Sequence, residues 1–459
     1  MKKLYLIILT VFLYAGAFAQ QIAPFKAGDR VVFTGNSITD GGRYHSFIWL
    51  YYITRFPGMR IDCFNAGIGG DVAGQMNERL DEDVFARKPT VVTLGFGMND
   101  TGYQFLEGDK ADSNYRAKIN TAKNSFESIQ QKLNAHPDVR KIMLGSSPYD
   151  GDAEIKAHPI QGKNEAIQKV IALQKDAAKK YKWDFFSFNE PMQAINRKQQ
   201  VSNPGFTMQG FDRIHPTIDG HMVMAYLFLK AQGFAGKKVA ELAINASAGK
   251  TTLAENCRVT NLKANNKSVS FTYLANALPY PLDTVSKGGR SQADAQKLVP
   301  FIKEFNQEVL QVAGLQKGKS YIIKIDSTKI GTWPAAELEK GVNMATITAT
   351  PQYQQALAIM HLNEERWAIE RRLREYWWLH YSILKPKGLL YNDSEATVDS
   401  VKKYAQKDFF VGAVLNTYYQ ARLKPVRDAW QKEIELLTNE LYLINQPKAH
   451  KVSIEIDEH

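Results

Sequence analysis

The sequence predicts an α/β fold in its first half, a doubly wound parallel sheet covered by helices, followed by a small β-rich module and a long helical hairpin. Three observations predict it. From Arg30 to about Phe234, short β-type runs alternate with longer runs of helical period, the pattern of a parallel sheet packed on both faces. Gly-rich or polar turns follow the short runs, at the edge where open parallel sheets bind ligands. Beyond Gly249 the pattern turns first to strand-like alternation and then to two long helical stretches divided by Pro386-Lys387-Gly388, punctuation that fits an antiparallel hairpin.

Taken in order, Met1 is followed by Lys2 and Lys3, an apolar run from Leu4 to Leu13, and Ala17-Phe18-Ala19. This reads as a cleavable export signal, with Gln20 as the new terminus and a periplasmic or extracellular destination. The apolar run is too short for a membrane span of about 20 residues. Strands are expected at Arg30–Thr34, Ile61–Ala66, Thr90–Phe96, Lys141–Gly145 and Asp184–Ser187. Helices are expected after the first strand as far as Phe56, and at Ser113–Leu133, Asn164–Lys180 and Thr217–Phe234. Alternation at Cys257–Leu262, Ser268–Tyr273 and Lys319–Ile325 marks the β-rich module, with a helical insertion around Ser291–Val312. Helical patterns then run over Gln352–Leu384 and Ser394–Leu443. The divisions expected are a leader at 1–19, the α/β domain at 24–240, the β-rich module at 250–348 and the helical hairpin at 350–446.

The chain has 459 residues, enough for two or three domains, and its 44% hydrophobic and 23% charged content is that of a folded protein. Only Cys63 and Cys257 are present, in different predicted domains, so no disulfide framework is expected. The formal charge of +11 is spread along the chain. It favours acidic partners at long range, but without a concentrated Lys/Arg stripe it does not point to nucleic acid.

Four segments carry the chemistry. Gly35-Asn36-Ser37-Ile38-Thr39-Asp40 stands where the first strand gives way to a helix; Ser37 there is either a helix cap or an exposed nucleophile beside a helix N-terminus. Asn65-Ala66-Gly67-Ile68-Gly69-Gly70-Asp71 follows the second strand and lets a backbone N–H approach a ligand, although its spacing fits no dinucleotide fingerprint or P-loop. Gly97-Met98-Asn99-Asp100 closes the third strand, where Asn99 either ends it in an Asx-turn or aims its amide at a polarised carbonyl. In Phe211-Asp212-Arg213-Ile214-His215-Pro216, Asp212 is spaced to orient the His215 imidazole. Metal binding and plain surface exposure are the competing fates of His215, and for the first no His/Cys cluster supplies further ligands. His221, soon after, is expected to pack or cap.

In this order the four segments resemble the SGNH (GDSL-like) hydrolase superfamily, named for the Ser, Gly, Asn and His of its sequence blocks. Ser37 matches the first, Gly70 the second, Asn99 the third, and Asp212 with His215 the last; the likeness runs from about Val31 to Phe234. It implies a flavodoxin-like doubly wound sheet and serine ester hydrolysis. By that resemblance Ser37, Asp212 and His215 are catalytic, and the N–H groups of Ser37 and Gly70 with the Asn99 amide form the oxyanion hole. No cofactor or metal is implied. One departure is Asn36, where the family's block has Asp; that position braces the turn, and Asn keeps the hydrogen bonds while losing a charge.

The expected substrate is an acylated small molecule or polysaccharide, with carbohydrate deacetylation the first choice. A lipid or aryl-ester acylhydrolase and a non-catalytic glycan-binding protein on the same scaffold are the alternatives. Tyr44, Tyr103, Tyr149 and Phe206 are candidates for a sugar-stacking platform, each with core packing as the ordinary alternative. Trp367, Tyr376, Trp377, Trp378 and Tyr381, interleaved with Arg366, Arg371, Arg372 and Arg374, are expected to be the buried stripe of a helix, with contact of one face with a ligand or the esterase domain as the alternative.

Overall fold

The structure, a computed structural model, describes residues 22–458 with the exception of residue 42; the leader expected at Met1–Ala19 lies outside them. Five strands, β1 (Arg30–Gly35), β2 (Asp62–Gly67), β3 (Val91–Phe96), β4 (Arg140–Gly145) and β5 (Asp184–Ser187), pair in parallel in the order β2-β1-β3-β4-β5. That order is the flavodoxin-like one expected. Val31, Val32 and Phe33 of β1 are all fully buried, because a parallel strand covered on both faces needs apolar side chains pointing each way. Val31 and Phe33 face the helices Tyr44–Arg55 and Ile218–Ala231. Val32, with Val92 and Leu94, faces Ala73–Arg79 and Gly108–Asn134. Because the chain leaves β1 for β2 on one side and returns to β3 on the other, the sheet has its switch point at the carboxyl ends of β1 and β3, where a crevice opens.

The β-rich region comprises two sheets sharing a core of Leu242, Ile244, Leu310, Val312, Phe271, Ile323 and Ile454 among others. The helical insertion expected at Ser291–Val312 is only partly helical. A 3₁₀ turn (Gln292–Lys297) and a short helix (Phe301–Phe305) precede a strand, Glu308–Ala313, which pairs in parallel with Ala240–Asn245. Burial alternates along that strand at Glu308, Leu310 and Val312, so its period is two and not 3.6. The chain also ends in a strand, His450–Ile456, paired between Ser320–Ile325 and Ser268–Ala275. The helical region is thus inserted into the β-rich region and does not simply trail it.

The last region is helical. One arm, Pro351–Trp378, continues through a wider π-helical stretch, Leu379–Leu384, and a 3₁₀ turn, Lys385–Lys387; the other is three helices, Glu395–Ala405, Phe409–Ala421 and Lys424–Ile444. The first break falls where the Asp408 carboxylate caps the N–H groups of Phe410 and Val411, and the second where Pro425 begins a new helix. Gln355 donates to the Ile444 carbonyl, which sets the two arms antiparallel. Tyr376 and Tyr381 are buried and Trp367, Trp377 and Trp378 half-buried, so the tyrosines pack as expected while the tryptophans are only partly covered. Among the described residues no helix is long and apolar enough to cross a membrane.

Candidate active site

Ser37 begins a four-residue helix directly after β1. The Asn36 side chain accepts from the Ile38 N–H at 3.1 Å, a cap that holds the turn; a cap of this kind is worth about 1 kcal/mol. Asn at this position therefore does the bracing with a neutral amide. Beneath the turn, Tyr44 is buried with its hydroxyl 3.1 Å from Thr39 Oγ1.

His215 arrives from the far side on a loop with an unusual construction. A 3₁₀ turn (Gly210–Asp212) is followed by Arg213 at φ 66°, a left-handed conformation uncommon for a side chain of this size. The buried Arg213 guanidinium compensates: it donates to the carbonyls of Asp150, Ala153, Ile155 and Ala157, tying the loop to the one after β4. Asp212 then accepts from the N–H groups of Ile214 (2.9 Å) and His215 (3.0 Å) through Oδ1, and faces His215 Nδ1 at 2.5 Å through Oδ2. Burial pushes the Asp212 carboxyl up, but the imidazole and these two N–H groups outweigh it and hold the group below its ordinary range. His215 Nε2 lies 2.8 Å from Ser37 Oγ, and its side chain is 48% exposed. Asp212 and His215, three residues apart, and Ser37, 178 residues before His215, form one chain of hydrogen bonds at an open edge.

Gly70 and Asn99 stand on the neighbouring turns, after β2 and β3. Gly70 has φ +86° with open space where a Cβ would stand, so the backbone conformation, not crowding, favours glycine there. Asn99 Nδ2 donates to the Asp71 carbonyl at 3.0 Å, and Asn99 Oδ1 accepts from the Tyr103 hydroxyl at 2.5 Å. The amide is thereby oriented, with one N–H still free to serve a ligand. Among the described residues the N–H groups of Ser37 and Gly70 have no assigned acceptor. Asp100 links the two turns, accepting from the N–H groups of Ala73 and Gly97, both at 2.8 Å. Lys163 supports the Asn99 turn from below. Its ammonium donates to the Met98 and Gly102 carbonyls and to Thr101, and burial pushes it down to about 7.

Ser37, Asp212 and His215 are joined at this edge, and Asn99 is joined to the Gly70 turn through the Asp71 carbonyl; no metal-like cluster of His, Cys, Asp and Glu occurs among the described residues. His221 packs, stacked on Tyr44, and burial pushes it down to about 3; His45, also buried, is pushed to about 4. Both are neutral near pH 7, leaving His215 as the exposed imidazole of the site. The aromatic platform is smaller than expected. Tyr44 and Tyr149 are buried in the core, and Phe206 is half-buried against Arg290, while Tyr103 stands 40% exposed at the rim. The sequence reading missed Arg213, Lys163 and the bond from Tyr103 to Asn99. The helical region supplies a wall here, the less favoured of the two readings of its aromatic and arginine face: Trp378 beside Gly69, Arg371 paired with Asp40 at 3.0 Å, and Trp367 under Arg43. Only contacts across the fold reveal these.

Comparison with known proteins covers the same regions of the chain. Residues 33–223 match the GDSL-like Lipase/Acylhydrolase family, and 357–446 match the Diltiazem deacetylase C-terminal helical domain. A solved structure described as a gut microbial diltiazem-metabolizing enzyme is 48% identical and has a TM-score of 0.91, covering 95% of this chain and 99% of that one. An acetylxylan esterase from Geobacillus stearothermophilus is 25% identical over 226 residues, 45% of this chain and 95% of the relative.

Proposed function

The chain belongs to the GDSL-like lipase/acylhydrolase (SGNH) family, and from that premise we propose that it is a serine esterase in which Ser37, His215 and Asp212 act together to remove acetyl groups. The observation that carries this is the continuous path from Asp212 Oδ2 through the imidazole to Ser37 Oγ, at 2.5 and 2.8 Å, within proton-transfer reach at both steps. Ser37 Oγ attacks the acyl carbon, and His215 Nε2 takes the hydroxyl proton and returns it to the departing alcohol. Asp212 fixes the imidazole with its proton on Nδ1 and stabilises the cation formed. The carbonyl oxygen, as it becomes an anion, is met by the N–H groups of Ser37 and Gly70 and the Asn99 amide; losing one such donor typically costs on the order of 100-fold to 1,000-fold in turnover. Water then releases the acetyl group by the same route.

The preferred substrate is an acetylated carbohydrate. The open edge around His215 suits a bulky or polymeric alcohol, and the acetylxylan esterase relative supports the acetyl group. A second reading, acetate esters of small molecules, rests on the diltiazem-metabolizing relative and on the aromatic wall at Trp378 and Trp367. Ser37→Ala and His215→Ala should each abolish turnover of a short-chain chromogenic ester, and undiminished turnover in both ends the assignment. Acetate release compared across plant and bacterial polysaccharides, long-chain esters and diltiazem separates the readings. Retention on a polysaccharide column with no ester turnover would instead favour a glycan-binding role. Export by the segment Met1–Ala19 is part of this proposal, and a mature terminus other than Gln20 would count against it.

A further inference from the structure

Arg366, Glu370 and Arg374 lie at four-residue spacing on the helix Pro351–Trp378 and so share one face of it. All three are buried, at 1%, 4% and 1% exposure. Glu370 Oε1 accepts from the Asn65 N–H at 2.9 Å and its other oxygen from Arg366 Nη1 at 3.0 Å. One turn on, Arg374 Nε donates to the Gly67 carbonyl at 2.9 Å, while its two terminal nitrogens hold both oxygens of Asp83 at 2.7 and 2.8 Å. The helix therefore grips the backbone of the segment Asn65–Gly67 at two points.

That segment joins the two turns of the site. Asn65 Nδ2 donates to the Asp40 carbonyl, at the end of the Ser37 helix, at 2.8 Å, and Asn65 Oδ1 accepts from the Gly67 N–H at 2.9 Å. Gly67 is seated so closely on Asp40 that a Cβ there would stand 2.1 Å from the Asp40 nitrogen. The chain then runs three residues to Gly70. Arg371, between Glu370 and Arg374, reaches the Asp40 carboxylate from the same helix. A guanidinium and a carboxylate buried against backbone atoms are costly to place without partners; here Asp83 and Arg366 meet their charges, and the backbone of Asn65 and Gly67 takes their remaining hydrogen bonds.

We propose that Glu370 and Arg374 are positioning residues for the esterase reaction, through which the helical region fixes the separation of the Ser37 turn from the Gly70 turn. The proposal rests on the reading of Ser37 as nucleophile and Gly70 as oxyanion donor. Neither residue reaches the acyl group; each acts through the backbone of Asn65 and Gly67. A displacement on the order of 1 Å at reacting groups can cost about 100-fold in rate, so the helix acts on kcat far more than on substrate affinity.

The test uses the full-length chain. Arg374→Met removes the hold on Gly67, the pair Arg366→Met with Glu370→Met removes both charges of the other hold, and Arg371→Met, half-exposed, is the variant least damaging to folding. Each is checked by thermal melting and assayed on a short acetate ester, with Ser37→Ala alongside. The folded variants are expected to lose about 10-fold to 100-fold in kcat for the first two and a few-fold for Arg371→Met, with KM within about twofold. Methylboronic acid, which adds to the serine as a tetrahedral anion, should lose affinity in proportion to kcat. Lowered melting temperature with wild-type kcat in a folded variant is the signature of a merely structural role and overturns the proposal. If Arg374→Met does not fold, the other two decide by the same criterion. Full activity in Ser37→Ala would instead remove the esterase reading beneath it.

Discussion

Replacing Asp212 by Asn changes one atom at the far end of the site, and the structure dictates where that atom must sit. Oδ1 accepts two backbone N–H groups, from Ile214 and His215, while Oδ2 meets the imidazole alone. Turning the new amide so that its nitrogen faces the backbone would forfeit both bonds to the oxygen, at about 1–3 kcal/mol each, and set donor against donor. The NH₂ group therefore faces His215 Nδ1, which must then accept. In that tautomer the proton lies on Nε2, and the nitrogen 2.8 Å from Ser37 Oγ can no longer take the hydroxyl proton. We expect kcat/KM for a short acetate ester to fall by about 10⁴, close to 5.5 kcal/mol of transition-state stabilisation, with an unchanged melting temperature. Steady-state kinetics near pH 7.5 provides the measurement, and activity within about tenfold of wild type would refute this account of the tautomer.

Three further outcomes are expected. Tyr103→Phe frees the Asn99 amide to turn; because the side chain is at the rim, we expect kcat to drop about 3-fold to 10-fold, the loss of about 1 kcal/mol of orientation, with no change in melting. Arg213→Ala strips a buried guanidinium that ties four carbonyls to a left-handed backbone position, and denaturant titration should show a loss of roughly 3 kcal/mol together with reduced activity as Asp212 and His215 lose their support. Glu308→Gln tests a buried acid in the β-rich region. Burial pushes Glu308 up to about 7, above the 4.5 of an unfolded chain, so the folded state holds the extra proton between these values. Wild-type stability is then greatest below pH 4.5 as far as this group is concerned and is lost as pH rises through 7, by roughly 3 kcal/mol. The glutamine variant should melt close to wild type at pH 5 and above it at pH 8, and identical pH dependence of the two would show that Glu308 carries no such burden.

The local code of this chain was strong where one segment decided its own form. The runs Val31–Phe33 and Val91–Phe96 are largely apolar because parallel strands bury both faces, and the turns after β1, β2 and β3 had to fall at one edge, so Ser37, Gly70 and Asn99 could be singled out by position and type before any contact was known, and His215 by its spacing from Asp212. The strand Glu308–Ala313 misled, because a short run with buried Glu308 reads as helix or strand alike until its partner Ala240–Asn245 is in view. The terminal strand His450–Ile456 escaped for the same reason; its neighbours lie far back in the chain.

What the sequence by itself determined was the set of chemical groups and their order along a βα alternation, since hydrophobic period and turn chemistry are local properties. What only the tertiary structure decided was how those groups are held: Arg213 gathering four carbonyls, Tyr103 turning the Asn99 amide, and Glu370 with Arg374 gripping Asn65 and Gly67 from a helix some 300 residues later. An arginine or glutamate is read from sequence as a solvated surface charge by default. Its burial against particular backbone atoms depends on the packing of separate regions, and no spacing within a segment records that.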